Sequence, residues 1–269
     1  GPVIDSLHNQ VLLKYNIAPI WIGDNSNNNI SFASSWTVLP LLGVAYIVLG
    51  YILPRLFQMM IERISPPLSS STTKATAAQQ QQSTWLSLRA FLAVLSTAAI
   101  IKLSEYLIVK NSMGFINTVF VDSASLVEQH LLLLITMAVL QWAWLDGSMA
   151  SLLAASIAFI GGPLSELPFI EMGWWEYIRN EGLYRPLAGI DLPFLQSVLG
   201  DHYKDLAINS LTGPCYFAVT MDAIALGRWF ESMESSNDPI NGDLAPEERI
   251  EASDEARTNV VVNSALSSP

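Results

Sequence analysis

LVEQHLLLLITMAVLQWAWLDGSMASLLAASIAFIGGPLSELPFI, residues Leu126 to Ile170, decides the architecture. It contains two apolar runs, Leu126–Leu145 and Met149–Ile170, joined by Asp146-Gly147-Ser148. A bilayer core about 30 Å thick takes roughly 20 apolar residues in a helix, and both runs have that length. Backbone N–H and C=O groups in lipid must bond within their own segment, so both runs are expected as membrane-spanning helices. Asp-Gly is turn chemistry, and so short a link makes the two helices antiparallel neighbours.

Three further runs read the same way: Trp36–Met60, Thr84–Val109 and Leu206–Phe230. The expected fold is an all-α, polytopic bundle of five spans over residues 36–230. Composition agrees. Of 269 residues, 51% are hydrophobic and 14% charged, against about 25% charged in soluble domains. A soluble helical protein is disfavoured because no run carries a wide charged face. The net charge of −11 excludes a general phosphate-backbone binder, which needs a basic face. The single cysteine, Cys215, excludes a disulfide framework. His8, His130 and His202 lie far apart in the chain and suggest no metal site. No cofactor motif is present.

The connections divide the chain further. Residues 1–35 precede the first run. They open Gly-Pro-Val with no Met and no signal-peptide pattern, and read as processed or truncated. The linker 61–83 includes SPPLSSSTTKATAAQQQQS (Ser65–Ser83), a polar low-complexity loop. Glu171–Lys204 mixes Trp174, Trp175, Tyr177, Tyr184, Phe194 and Tyr203 with charges, as suits a membrane interface. Residues 231–269 carry nine acidic residues and two arginines without an aromatic, and are expected to be a disordered tail. Lys and Arg flanking the runs are nearly balanced between the two sides, so charge does not orient the bundle. Asn29-Ile30-Ser31 is a glycosylation sequon and marks its side as lumenal if used.

Ionisable groups inside spans are functional candidates. Lys102 and Glu105 are three apart and can pair with each other. Glu166 lies between Pro163 and Pro168, where an irregular segment lining a cavity or packing on protein is expected. Asp222, mid-run, faces either Glu166 or an interior hydrogen-bond donor. Gln129 can donate and accept. It is either a partner for a lipid hydroxyl or a helix–helix hydrogen bond.

Four blocks resemble the Insig (insulin-induced gene) family, in a divergent fungal-type form. They are SFASSWTVLPLLGVAYIVLGYILP (Ser31–Pro54), WLSLRAFLAVLSTAAIIKLSEY (Trp85–Tyr106), EQHLLLLITMAVLQWAWLDGS (Glu128–Ser148), and the last run through Pro214-Cys215-Tyr216-Phe217, Val219-Thr220 and Gly227-Arg228. The resemblance covers about Ser31 to Phe230. It implies a non-enzymatic, multi-pass protein of the endoplasmic reticulum membrane that lacks the family's first span. It also implies two kinds of partner: an oxysterol, and sterol-sensing-domain proteins such as HMG-CoA reductase or the SREBP escort protein. By family position the ligand residues fall on Gln129, Trp142 and Leu95, with Thr136 standing in for a threonine replaced by Leu133. Asp146 falls on the partner-binding aspartate and is expected to serve binding rather than folding, with N-capping of the next helix as its structural alternative. The resemblance puts the Asp146 turn and the tail in the cytosol and Asn29 in the lumen. The rival reading is a membrane-embedded sterol isomerase built on Glu105, Glu166, Asp222 and Trp174.

Overall fold

A computed structural model describes residues 13–24, 29–64, 77–110, 125–178 and 182–236. Four of its helices are long and apolar enough to cross a membrane. These are α1 (Val38–Ile64), α2 (Ala77–Lys110, apolar over Trp85–Ile108), α3 (Leu126–Leu145) and α4 (Met149–Glu171). Their outward faces expose Val44, Phe91, Leu140 and Ile160. That pattern suits lipid better than water, since large exposed apolar patches are rare on soluble monomers.

The expected fifth span, Leu206–Phe230, is not one of these long apolar helices. Its helix, α6, runs Thr212–Ser236. The physical reason is its position. Ala218, Thr220, Met221 and Asp222 on α6 are fully buried, so this helix meets protein on several sides. A helix enclosed by others can carry Pro214 and Asp222 without exposing them to hydrocarbon, and both are fully buried. The chain divides into two units, Gly1–Trp229 and Phe230–Pro269. Residues 237–269, most of the expected disordered tail, lie outside the described residues, as do 1–12 and linker residues 65–76.

The all-α expectation needs amending. Three antiparallel strand pairs flank the helices: β1 (Leu13–Tyr15) with β4 (Trp175–Tyr177), β2 (Pro19–Asp24) with β3 (Asn29–Ser35), and β5 (Leu183–Tyr184) with β6 (Ile208–Asn209). A short helix, α5 (Pro193–Leu199), lies between β5 and β6. The β1–β4 pairing joins residues 13–15 to residues 175–177, before and after the four long helices. Four spanning helices would return the chain to the side it started from, as that pairing requires. The polar loop reading of Ser65–Ser83 also changes, because Ala77–Ser83 belongs to α2. Ala and Gln are good helix formers, and adding residues to an existing helix is far easier than starting one.

Local chemistry fixes the helix ends. Ser125 and Glu128 form a capping box at the start of α3, with Glu128 N to Ser125 Oγ 3.3 Å and Ser125 N to Glu128 Oε2 2.7 Å. Glu128 is therefore an entry residue rather than a charge within a span. Gly147 at φ 65° closes α3 in the left-handed conformation that suits glycine. Ser148 caps α4 by accepting from Ser151 N at 3.3 Å. Asp146 is thus not the N-cap of α4.

Within α1, residues Val48–Ile52 form a π turn. Pro54 follows four residues after Gly50. Its ring crowds the Gly50 carbonyl and it supplies no N–H, which is a recognised cause of helix distortion. At this point α1 meets α6 closely. A Cβ on Gly50 would lie 2.5 Å from the Ala223 carbonyl oxygen, and one on Gly227 would lie 3.0 Å from the Gly50 oxygen.

The interior is small-residue packing with a few polar ties. Ala93, Ala138, Ala154, Phe217, Met221 and Ile224 form one cluster, and Ile100, Leu107, Leu134 and Ala218 lie in another. Gln141 Nε2 donates to Ser96 Oγ at 2.9 Å and Thr97 Oγ1 at 2.8 Å, and Thr97 Oγ1 donates to the Ala218 carbonyl at 3.0 Å. This chain ties α3 to α2 and α2 to α6.

Candidate functional site

A partly open cavity of about 260 Å³ lies among β1, α1, α4, β4 and α6. That is just below the usual range for ligand pockets, about 300–1,000 Å³. Its construction starts with two alternating tripeptides. In Leu13-Lys14-Tyr15 and Trp175-Glu176-Tyr177 the outer residues line the cavity, while Lys14 and Glu176 point away and pair at 3.3 Å. Period-two alternation in a strand produces this division. Trp175 stacks on Phe169 at 4.9 Å and meets Tyr15 edge-on at 5.9 Å, geometries that aromatic quadrupoles favour.

The polar wall is centred on Glu166. Tyr177 Oη donates to Glu166 Oε2 at 2.5 Å, and Tyr216 Oη donates to Oε1 at 3.0 Å. Tyr177 Oη also lies 3.1 Å from Thr212 Oγ1. Burial pushes the Tyr177 phenol well above its ordinary pKa, and the Glu166 charge and its hydrogen bond act in the same direction. Tyr177 therefore stays protonated and keeps donating. Glu166 sits on an unbroken α4, although Pro163 and Pro168 lie inside that helix. The expected irregular segment is absent because packing against neighbours tolerates prolines in such helices. Of the two surroundings expected for Glu166, a cavity or packed protein, the cavity is the one it lines.

Gly162 places Tyr216. A Cβ at residue 162 would lie 2.3–2.7 Å from ring carbons of Tyr216, so only glycine lets the ring lie against α4. Gly162→Ala is expected to push Tyr216 off Glu166 and to lower stability by about 1–3 kcal/mol, the usual range for overpacking. Thermal unfolding in detergent measures the loss. Equal stability with a retained Tyr216–Glu166 bond in a structure of the variant would show that the ring has room to yield.

The residues assigned by resemblance do not meet at this cavity. Gln129 is buried at the start of α3 and does not line it. Trp142 Nε1 donates to the Ser148 carbonyl at 3.0 Å and contacts Ser151 Oγ at 3.2 Å, locking the α3–α4 turn. Thr136 is exposed and donates to the Leu132 carbonyl of its own helix at 2.8 Å. Leu95 is exposed on the outer face of α2. Asn29 opens β3, opposite Asp24.

The rival carboxylates are also apart. Glu105 pairs with Lys102 at 2.5 Å, as expected. Asp222 accepts from Tyr46 Oη at 2.7 Å, which realises the interior-donor option rather than the Glu166 option. Trp174 packs on Phe169 outside the cavity lining. Only Glu166 of that set lines the cavity.

Asp146 has a role that the sequence did not disclose. It accepts from Arg228 Nη1 of α6 and, at 2.5 Å, from Ser148 Oγ. Its side chain is 6% exposed and that of Arg228 40%. The cation offsets the unfavourable position of a carboxylate at a helix C-terminus.

Tyr46, Tyr177, Thr212 and Tyr216 were missed as cavity residues. The legible signal was the pair of tripeptides, each placing a charge between two large side chains. Opposite charges at their centres favour cross-strand pairing. Comparison with protein-family models, with curated proteins and with solved structures returns no match to this chain.

Proposed function

We propose that this protein is a multi-pass regulator of the endoplasmic reticulum membrane that binds a sterol-class lipid, as the Insig resemblance implies. The bundle comprises five spans, with α6 as the fifth. The ligand sits in the cavity, and a sterol-sensing-domain protein such as HMG-CoA reductase or the SREBP escort protein docks at the Asp146 turn. The observation that carries the reading is the cavity itself: an apolar chamber between membrane helices with its hydrogen-bonding groups gathered around one carboxylate. Such a chamber fits a lipid with a single polar end. The isomerase reading is weaker, because its carboxylates do not converge and an acid–base site needs its groups within reach of one substrate.

Competition binding of a labelled oxysterol to the full chain in nanodiscs tests the ligand site. Glu166→Gln is expected to weaken binding, while Gln129→Leu leaves it within twofold. Loss on Gln129→Leu alone would return the site to α3, where one neutral hydrogen bond is worth about 0.5–1.5 kcal/mol. Protease protection on sealed microsomes tests topology. Digestion of the tail with protection near Asn29 is expected, and the reverse would discredit the Insig reading.

A further inference from the structure

We infer that α5 is an interfacial anchor: Phe194 and Val198 insert into the headgroup–acyl boundary of the host membrane, at the end of α4 remote from the Asp146 turn. This surface and its lipid partner are separate from the ligand and the protein partner proposed above, and need only that α4 spans.

The first ground is depth. α4 (Met149–Glu171) has the length and apolar character of a spanning helix, so its last turn marks the edge of the hydrocarbon. α5 is packed on that turn. Leu199 of α5 shares a buried cluster with Leu167 of α4, Tyr203 and Ile208, and Leu195 of α5 packs against the same cluster. Gly200 directly follows α5 and lies close to the end of α4, where a Cβ would stand 2.6 Å from Glu171 Oε1. Leu167 precedes Glu171 by four residues, about 6 Å along the helix axis. Packing therefore holds α5 at the level of the membrane boundary.

The second ground is which side chains are left outside. Composition alone suggests the aromatic rings of Glu171–Lys204 as the interfacial groups, and the structure redistributes that role. Trp175 and Tyr203 are 7% and 3% exposed, and Tyr177 donates to Glu166, so these rings serve the protein interior. Ile190, Leu192, Phe194 and Val198 are exposed instead, Phe194 at 71%. Phe194 and Val198 are four apart and share one flank of α5. Leu195 and Leu199 hold the inner face. Gln196 falls on the opposite flank, where its Nε2 donates to Asp201 Oδ1 at 2.8 Å. Nearby charges are paired, Lys204 with Asp191 at 3.2 Å and Arg185 with Asp205 at 3.5 Å. An apolar flank opposite a polar one, with charges beside it, is the pattern of a segment lying in the membrane interface.

The partner is lipid rather than protein because lipid is already there. Ile160 and Leu164 on α4 and Met172 at its end are exposed and apolar, so the helix that carries α5 meets hydrocarbon almost to its last residue. A protein partner would have to displace that lipid, whereas insertion of Phe194 and Val198 displaces only headgroup water.

The test uses the full chain in liposomes with one added cysteine at a time, Phe194→Cys, Val198→Cys or Gln196→Cys, each labelled with the environment-sensitive fluorophore NBD. All three positions are exposed, so the substitutions leave the packing intact. Cys215 is buried, and the unaltered protein measures its background labelling. The quenchers are iodide in the water and nitroxide lipids labelled either near the headgroup or near the chain end. Labels at 194 and 198 are expected to be about fivefold or more better shielded from iodide than the label at 196, and to be quenched more by the shallow nitroxide than by the deep one, as insertion to about 5–10 Å requires. Equal access of iodide to all three labels places the flank in water and overturns the anchor. Shielding from iodide without quenching by either lipid shows that a second copy of the chain or another protein covers the flank, and overturns it as well. Stronger quenching by the deep nitroxide puts α5 inside the hydrocarbon and overturns its interfacial depth.

Discussion

Gly50→Val is expected to destabilise the bundle by about 3 kcal/mol or more, at or beyond the upper end of ordinary overpacking. The atoms in the way belong to backbone. A Cβ at position 50 would meet the Ala223 carbonyl oxygen at 2.5 Å and its carbon at 2.8 Å, and neither can rotate aside. Valine adds two methyl groups to that conflict. Two helices would have to separate where Gly50 and Gly227 now allow their backbones to approach closely, the packing that small residues permit between membrane helices. Gly43→Val is the control. It lies on the same helix with nothing within 4 Å of its Cβ position, and is expected to change stability by less than about 1 kcal/mol. Thermal unfolding of both variants in the same detergent decides. Equal midpoints would show that α1 and α6 are not locked together at Gly50.

Asp146→Asn is expected to lower stability by about 1–3 kcal/mol. Removing one member of a buried ion pair costs about 3–5 kcal/mol, whereas exposed pairs contribute about 0–1 kcal/mol. Here the carboxylate is buried and the guanidinium 40% exposed, so the effect lies between. This differs from the sequence-based expectation that Asp146 serves binding rather than folding, because Arg228 makes its carboxylate part of an ion pair. Arg228→Gln is expected to cost a similar amount, and the double variant little more than either single one, because the two residues act as a unit. The same pair separates folding from partner binding. Arg228→Gln keeps the Asp146 charge while breaking the pair. If a sterol-sensing partner co-purifies with Arg228→Gln but not with Asp146→Asn, the carboxylate itself meets the partner. If both variants lose the partner equally, Asp146 acts by holding α6 in place.

The membrane helices were legible because their signal is local. An uninterrupted apolar run of sufficient length has one low-energy conformation in lipid, and Leu126–Leu145 and Met149–Ile170 declare it without reference to any other residue. The turn at Asp146-Gly147-Ser148 was legible for the same reason, since glycine supplies the left-handed conformation that ends α3. The Lys102–Glu105 pair follows from helical spacing alone.

What the tertiary structure decided is whatever depends on residues far apart in sequence. Leu206–Phe230 looked like one more lipid-facing span, but burial on several sides makes α6 the enclosed helix, and hydropathy cannot report which neighbours a helix will have. Glu166 was visible as a costly carboxylate near prolines. Its partners were not, because Tyr177 comes from a strand and Tyr216 from another helix. Gly162 then settles how close that second tyrosine can come. Asp146 and Arg228 are separated by 82 positions and meet only because α6 runs past the α3–α4 turn. Sequence by itself determined four helices long and apolar enough to cross a membrane, since burying backbone in lipid constrains each segment independently. Which polar groups share a site was decided by packing, since a hydrogen bond needs its two ends within about 3 Å and no spacing rule extends across a loop of undetermined path.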